Sequence, residues 1–499
     1  MVVASIDAGT TGVRCLIVNK NGTLLGISRR NWDYETHEFL EIAKEFNPTI
    51  FWKTICAVIH EALESSAVDV SKLEAMSATS QRHGIVLLDS DGRELHAGPN
   101  IDARGAMTQY IIEESLAEKY HDITGCWPPL MFGPARVAWF EEEEPEIFES
   151  IAHILPISDW IAYRISGEYS TEPASASATG FFDIKKMEWS SDVIDAVGIE
   201  AGVFPRLGQS GDVIGEVTSK AEADSGLPEG LPVVQGGTDT HCALLAAQSE
   251  FGDITAIMGS TAPIMLVLDK PICAENQKMW TGCHVIPGQW TMESNATMTG
   301  AYLVWVIDLL CQQAEKPSDC RAKLYDNLDD ILADTPPGSN ETYAGLGPSI
   351  MDCRTISDIP QARLFFPQPA LPQVIPLSST SLIHAVLENI AYSVRGNLEQ
   401  LEGVAESKKV RAIGGLTRSS TWLKMLSNVL NRPVHVPTEP EGSLLGAAIC
   451  AAKGAGWFDS LEAGAKSMVK WQPAYEPDER AKVYESYYKR WTEIWCGAE

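Results

Sequence analysis

Asp7-Ala8-Gly9-Thr10-Thr11-Gly12-Val13-Arg14 stands between two short apolar runs, Val2 to Ile6 and Cys15 to Val18, and this spacing predicts two strands joined by a tight turn. Gly9 and Gly12 admit positive φ and let a ligand approach the backbone, Thr10 and Thr11 offer hydroxyls, Asp7 can face a metal ion, and Arg14 can answer negative charge. That inventory suits phosphate and magnesium on a hairpin. It is not a P-loop, because no Gly-Lys-Ser/Thr follows and no helix opens directly after the turn to lend its N-terminus. Read alone, the same residues also suit an ordinary glycine-containing turn, in which Gly, Thr and Asp are common.

Working outward, Thr23 to Ser28 follows the Asn21-Gly22 turn as a third strand, so the chain opens as an antiparallel meander. Trp52, Ile55, Ile59 and Leu63 recur at spacings of three and four and predict a helix from Thr49 to Ser65. Leu73 to Ala78 and Ile85 to Asp89 read as strands, which leaves Thr79-Ser80-Gln81-Arg82-His83-Gly84 as a polar loop, a place where function concentrates. Glu141 to Glu144 is an acidic run that reads as a solvated helix end. The apolar strand Leu231 to Gln235 runs into Gly236-Gly237-Thr238-Asp239-Thr240 and then a small-residue helix from about His241 to Ala247. Asp239 there is either exposed to whatever the glycines admit or an N-cap, and the two readings are compatible.

Ile254 to Met258, Gly259-Ser260-Thr261 and Pro263 to Leu268 repeat the opening layout of strand, glycine with hydroxyls, strand, which predicts a distant internal duplication without the aspartate. A third glycine turn, Gly414-Gly415, precedes a helix that carries Trp422, Met425, Leu426 and Val429 on one face, and such a turn lets a flat ring pack on bare backbone. Glu441-Gly442-Ser443-Leu444-Leu445-Gly446 opens a small-residue helix suited to close packing. After Pro473 the chain reads as helical to Trp495.

At 499 residues, with 45% hydrophobic and 21% charged residues, the chain is expected to fold as two large soluble domains with a cleft between them for a ligand. Its net charge of −29 argues against nucleic acid and anionic membrane as partners. The opening Met1 to Asp7 has no basic n-region and too short an apolar run for a signal peptide or a span, so a cytoplasmic location is expected. The 11 cysteines are scattered, with no Cys-x-x-Cys and no ligand-like pairing with histidine, so buried free thiols are expected rather than disulfides or a zinc site.

These clusters, in this order, resemble the FGGY family of carbohydrate kinases over essentially the whole chain. The resemblance rests on the loop with Asp7 and Arg14, the Gly-Gly-x-Asp loop ending in Asp239, the Gly-Ser-Thr loop at Gly259 and the Gly-Gly-x-x-Arg-Ser-x-x-Trp segment at Gly414. Within the family, Ile157 to Glu168, Asn100 to Arg104 and His284 to Gly288 look like the autoinducer-2 kinase branch. Ser158-Asp159 stands where many members carry a lysine-aspartate pair. Gln81-Arg82-His83-Gly84 mixes the Gln-Arg-Glu of glycerol kinases with the Gln-Met-His-Gly of xylulokinases, and Asn100 stands near the tryptophan that lines the polyol site of glycerol kinases.

The fold this resemblance implies is α/β, the two-domain actin-like, ribonuclease-H-like type with an interdomain cleft. An N-terminal domain (1–246) would hold the sugar site and first phosphate loop, a C-terminal domain (247–470) the second phosphate loop and adenosine site, and residues 471–499 a helix bracing the domains. The implied activity is transfer of the γ-phosphate of ATP, with Mg2+, to a small polyhydroxy ketone: an autoinducer-2 precursor or a pentulose, with glycerol demoted. Asp239 would be general base and, with Asp7, metal ligand. Gly9, Thr10, Thr11, Arg14, Gly259, Ser260, Thr261, Gly300, Gly414, Gly415 and Ser419 would bind nucleotide, and Gln81, Arg82, His83, Asn100, Asp102, Asp239 and Thr240 the sugar. The implied partner is a small-molecule sugar or polyol, with a homodimer as an admissible assembly. An actin- or chaperone-like ATPase is the alternative of another class, disfavoured by the cluster of Gln81, Arg82, His83 and Asp239, which a chaperone would not need.

Overall fold

The computed structural model describes residues 1–274, 276–355, 361–368 and 377–496. The chain divides into two compact units: the first comprises Met1–Gln248, Val267–Thr291 and Glu441–Lys470, the second Ser249–Leu266, Met292–Pro440 and Trp471–Glu499.

In the first unit, β1 (Val2–Ala8) and β2 (Gly12–Asn19) form the predicted hairpin, which sets Asp7 opposite Arg14 and Ala8 opposite Val13. β3 (Leu24–Asn31) pairs antiparallel with β2 and completes the meander. β1 is buried along its whole length, the pattern of a strand covered on both faces. α1 (Pro48–Ser66) is capped by the Asn47 side chain, which accepts from the backbone N–H of Thr49 and Ile50. Its buried Trp52, Ile55, Ile59 and Leu63 form the predicted stripe, and the helix packs on β2 and β3.

β4 (Leu73–Ser80) lies parallel to β1, with Thr79 beside Asp7. The acidic run then ends α2 (Gly133–Glu143), where Glu141, Glu142 and Glu143 are exposed as predicted. After α3 (Ile157–Ser166) and β5 (Val213–Glu216), β6 (Pro232–Thr238) lies parallel to β4 and brings Gly237 beside Thr79 and Thr238 beside Ser80. The strand order is β5-β6-β4-β1-β2-β3. Three parallel strands thus finish at one edge of the sheet, where Asp7, Gln81 and Asp239 emerge. Crevices outside the carboxyl ends of such strands are where α/β sheets bind ligands.

Two expectations shift here. Thr79 and Ser80 belong to β4 rather than to the loop, and β6 continues through Gly236 and Gly237 to Thr238. A Cβ on Gly236 would sit 2.0 Å from the Ala78 carbonyl oxygen, so the glycines let the strand close on β4 across a shift in register between Val234 and Gly237. α4 (Asp239–Ala246) starts immediately after, with Thr238 in the N-cap position and Asp239 as the first helical residue.

In the second unit, β7 (Ile254–Ile257) and β8 (Thr261–Leu268) form a second hairpin that pairs Ile254 with Leu266 and Ala256 with Ile264. β9 (Trp290–Met298) lies beside β8. It is followed by α5 (Gly300–Cys311), α6 (Pro317–Asp326) and the long α7 (Ser379–Glu402). β10 (Val410–Ile413) then pairs parallel with β7 and, after α8 (Ser420–Leu430), β11 (Val434–His435) pairs parallel with β10. Five neighbouring strands of this six-stranded sheet run in the order β9-β8-β7-β10-β11, which repeats β3-β2-β1-β4-β6, so the internal duplication is present as topology. The cysteine expectation is corrected in this unit: Cys311 and Cys320 form a disulfide with Cα atoms 5.7 Å apart, because the short connection between α5 and α6 brings their ends together. The free cysteines other than Cys273 are buried among the described residues.

After β11 the chain re-enters the first unit as α9 (Gly442–Gly454), which packs on α4 and on β1. A Cβ on Gly446 would lie 1.9 Å from the Cys242 carbonyl oxygen, so only glycine permits this approach of helix to helix. Glu441–Lys470 therefore groups with residues 1–248, although it follows them by two hundred positions in the linear order. The chain ends in the second unit with α10 (Ala481–Cys496). It starts later than the sequence suggested, because Trp471 and Tyr475 form bridges with Pro437 and Val434 and Pro477 has no N–H to give a helix.

Candidate functional site

The predicted site residues fall into two groups, one in each unit. In the first unit, the Asp7 carboxylate is buried beneath the hairpin, and its Oδ2 accepts from Arg14 Nη2 and from Ser443 Oγ at 2.6 Å. Its Oδ1 is buried and has no hydrogen-bond partner. The Arg14 guanidinium also donates through Nη2 to Ser443 Oγ at 3.1 Å and through Nη1 to Glu441 Oε2. The charge of Asp7 foremost, and those of Glu441 and Asp239 after it, hold the Arg14 pKa above its ordinary value against the opposing effect of burial.

Asp239 enters from the next strand end but one. Its Oδ1 accepts from the backbone N–H of Thr240 at 2.6 Å and from Thr240 Oγ1 at 3.0 Å. Burial first, and the neighbouring Asp7 charge second, push its pKa up to about 6, while Arg82 draws it back down. Asp7 and Asp239 thus feel one another across the sheet edge. A buried carboxylate with an unpartnered oxygen and a half-buried one near it form a donor set that fits a hard divalent cation, which takes one or two carboxylates beside phosphate oxygens.

Gln81 braces this edge from the inside. Its Nε2 donates to Tyr34 Oη at 3.0 Å and to the Gly9 carbonyl at 3.3 Å, and its Oε1 accepts from the Asn100 N–H at 2.9 Å. Asn100 Nδ2 in turn donates to Thr10 Oγ1 at 2.9 Å, and Tyr34 Oη donates to the Thr10 carbonyl at 2.6 Å. The β1–β2 hairpin is therefore held by Gln81, Asn100 and Tyr34, while Thr11 is exposed.

His83 adopts φ 66°, and Arg136 Nη1 donates to its carbonyl at 2.7 Å. His83 Nδ1 lies 2.9 Å from the Ala178 carbonyl, an acceptor only, so Nδ1 carries the proton and Nε2 the lone pair. Burial, reinforced by Arg82, lowers its pKa to about 3, and the ring is neutral at physiological pH. Phe132 and Trp280 meet it edge-on at 4.9 and 5.7 Å between ring centroids. Behind it, His241 bridges Thr238 Oγ1 at 2.7 Å and Thr291 Oγ1 at 3.0 Å. His284 Nε2 is buried without a partner. Neutral imidazoles and aromatic edges thus gather near Arg82 and Asp239.

Asp102 does not join this group. It is buried and paired with Arg104 Nε at 2.8 Å, and it accepts from the Lys44 N–H at 3.2 Å. Arg104 itself lies over Trp139 and Phe140 at 4.7 and 4.8 Å. The structure gives Asp102 the work of neutralising a buried arginine, which costs several kcal/mol if left unpaired.

In the second unit, Gly259, Ser260 and Thr261 form the exposed β7–β8 turn. Its carbonyls are taken by the start of α5: the N–H groups of Gly300 and Ala301 donate to Gly259 and Ser260 at 3.2 Å each. Gly414, at φ 115°, and Gly415 turn the chain over Met258, whose carbonyl accepts from the Leu416 N–H at 3.4 Å. Ser419 caps α8, accepting from the Trp422 N–H at 3.0 Å and donating to Asp329. Its hydroxyl is therefore engaged within the fold.

Sequence reasoning read Glu441-Gly442-Ser443 only as a helix opening and missed that both polar side chains reach the Asp7–Arg14 pair. An acid and a hydroxyl ahead of a small-residue helix were the available signal. Tyr34, Arg136, Phe132 and Trp280 carried none, since each joins the site only through tertiary packing. Tertiary packing also brings ligand atoms of His121, Asp122 and Cys273 within 4.8 Å of one another, a proximity that no spacing in the sequence signals.

Residues 2–246 match the model of the FGGY carbohydrate kinase N-terminal domain and residues 254–455 that of its C-terminal domain. The autoinducer-2 kinase of Enterobacter sp. (strain 638) is 30% identical over 511 residues, covering 99% of this chain and 93% of that relative. That of Yersinia enterocolitica is 30% identical over 98% of this chain and 93% of its own. Among solved structures, the xylulose kinase from Rhodospirillum rubrum shares the fold with a TM-score of 0.82 at 23% identity, over 100% of this chain and 99% of its own. Plasmodium falciparum glycerol kinase with ADP shares it with a TM-score of 0.80 at 17% identity, over 99% and 97%. Among the described residues no helix is long and apolar enough to cross a membrane. With both domains matched in order along the strand-glycine-strand units described above, the chain belongs to the FGGY family of carbohydrate kinases and is an ATP-dependent sugar kinase.

Proposed function

We propose that the acceptor is a short linear polyhydroxy ketone, an autoinducer-2 precursor or a pentulose, bound in the first unit beside Arg82, His83 and Thr240 and phosphorylated there with Asp239 as general base. The observation that carries this reading is the meeting of Asp239, poised at a pKa of about 6, with neutral His83 and cationic Arg82 at the carboxyl ends of β1, β4 and β6. A carboxylate with that pKa is mostly ionised at neutral pH and still basic enough to accept a proton usefully. His83 Nε2 and Arg82 supply an acceptor and donors for hydroxyls or a carbonyl, and the edges of Phe132 and Trp280 give a carbon chain an apolar wall. The full-length likeness to proteins described as autoinducer-2 kinases supports the ketone over glycerol.

In the step itself, Asp239 accepts the proton of the sugar hydroxyl as that oxygen bonds to the γ-phosphorus of ATP and the bond to the β,γ-bridging oxygen breaks, releasing ADP. Asp7, through its unpartnered Oδ1, and Asp239 would hold Mg2+, which when bound neutralises charge on the β- and γ-phosphates. Thr10, Thr11 and Arg14, on the hairpin, would meet the phosphate oxygens. Gly300, Gly414 and Gly415 would meet the rest of the nucleotide. Positioning and charge stabilisation carry most of phosphoryl transfer. An ADP-release screen over glycerol, other polyols, pentuloses and dihydroxyketones tests the assignment. A ketone is expected to show much higher kcat/KM than glycerol, because a site that hydrogen-bonds a group rejects analogues lacking it. Glycerol as the best acceptor would overturn it.

A further inference from the structure

Asp7 faces two claims. The reading above needs it for the metal, yet its Oδ2 is taken by the Arg14 guanidinium and the Ser443 hydroxyl. Arg14 is bound to two carboxylates at once, Asp7 through Nη2 and Glu441 through Nη1. Glu441 is not held there by chance. Its carbonyl accepts from the Leu445 N–H at 2.9 Å as α9 begins, and its side chain makes no capping bond to that helix. Gly446 seats the same helix against the Cys242 carbonyl of α4, the helix that Asp239 opens. The Glu441 backbone is thus fixed to the element that carries the base, while its carboxylate, 11% exposed, turns to Arg14, 35% exposed. A guanidinium between two carboxylates can leave one and stay paired with the other.

We propose that Arg14 is a tethered cation that covers Asp7 until metal and nucleotide arrive, and that Glu441 is the positioning residue that keeps the guanidinium paired when Asp7 is given up. This rests on the reading of Asp7 as metal ligand. Loading then exchanges one positive charge for another on Asp7, and Arg14 remains within reach of the incoming phosphates instead of folding back onto the carboxylate. Without the Glu441 charge, Asp7 is the one carboxylate still directly ion-paired with Arg14 among the described residues, and the cation must compete against that full ion pair.

The test is calorimetric titration of ADP, in magnesium and in EDTA, on the wild-type chain and on Glu441→Gln, Arg14→Ala, the double variant and Asp7→Asn. The readout is the factor by which magnesium tightens ADP binding, a quantity that a merely structural role for Glu441 does not move selectively. Glu441→Gln is expected to cut that factor about tenfold, a difference typical of coupled sites, and to cut nothing further once Arg14 is alanine. Loss of the factor by Glu441→Gln in the Arg14→Ala background would show Glu441 acting on the metal directly and overturn the proposal, as would an unchanged factor in the single variant. If Asp7→Asn keeps the wild-type factor, the metal reading itself falls. If Asp7→Asn loses it while Glu441→Gln does not, only the exchange falls. Glu441→Asp, which keeps the charge but shortens its reach, is measured alongside with the unfolding midpoint of each variant. It should give an intermediate factor, and a wild-type value there together with a misfolded Glu441→Gln would also overturn the exchange.

Discussion

Replacing Asp239 with asparagine should make the protein more stable at neutral pH while removing its activity. The carboxyl titrates at about 6 in the folded chain against an ordinary 3.8, with burial and the Asp7 charge as the leading causes. A group whose folded pKa is raised binds more protons folded than unfolded, so stability falls as pH climbs between those two values and stays low above them. The full shift corresponds to about 3 kcal/mol. Because the side chain is partly exposed, solvent screening leaves on the order of 1–2 kcal/mol to be recovered by a neutral side chain of the same shape. The unfolding midpoint of Asp239→Asn, followed by circular dichroism, should exceed wild type by a few degrees at pH 7.5, and the difference should close as pH falls toward 4. Turnover should drop by about a hundred- to ten-thousand-fold, and the wild-type rise of kcat/KM with pH through about 6 should vanish in the variant. A variant that keeps more than roughly a tenth of the wild-type rate, or that is destabilised at pH 7.5, would refute the assignment of Asp239 as a half-buried, ionised base.

Two further outcomes follow from the same geometry. His83→Ala, which removes the neutral ring between Phe132, Trp280 and Arg82, should raise KM for the preferred ketone with KM for ATP nearly unchanged in steady-state kinetics, and equal sugar kinetics would remove His83 from the site. Gly446→Val places atoms where the Cys242 carbonyl stands, 1.9 Å from the added Cβ, and should lower thermal stability by at least about 1–3 kcal/mol, the usual overpacking penalty; a wild-type midpoint would mean that α9 does not pack on α4 as described.

The sequence by itself determined the local units. Apolar runs of strand length around glycine and hydroxyl residues named both hairpins, and spacings of three and four named α1, because such signals lie within a dozen residues of one another and need no partner from elsewhere. It also marked Asp7, Arg14, Arg82, His83 and Asp239 as a set, through the motifs of a family. What it left open are the decisions that depend on burial and on contacts far along the chain. Asp102 and Asp239 are both aspartates in polar segments, but one faces a buried Arg104 and neutralises it, while the other opens a helix at the end of a parallel strand beside Asp7. Ser419 follows the Gly414-Gly415 turn, and the fold engages its hydroxyl as the cap of α8 and with Asp329. Glu441 and Ser443 reach the hairpin from the far end of the chain, because α9 packs on α4 with Gly446 against the Cys242 carbonyl, and no local pattern encodes that approach. Propensity and periodicity act over a turn or a strand, whereas the pairing of charges in a buried site is settled by which distant surfaces close-pack, and that only the tertiary structure decides.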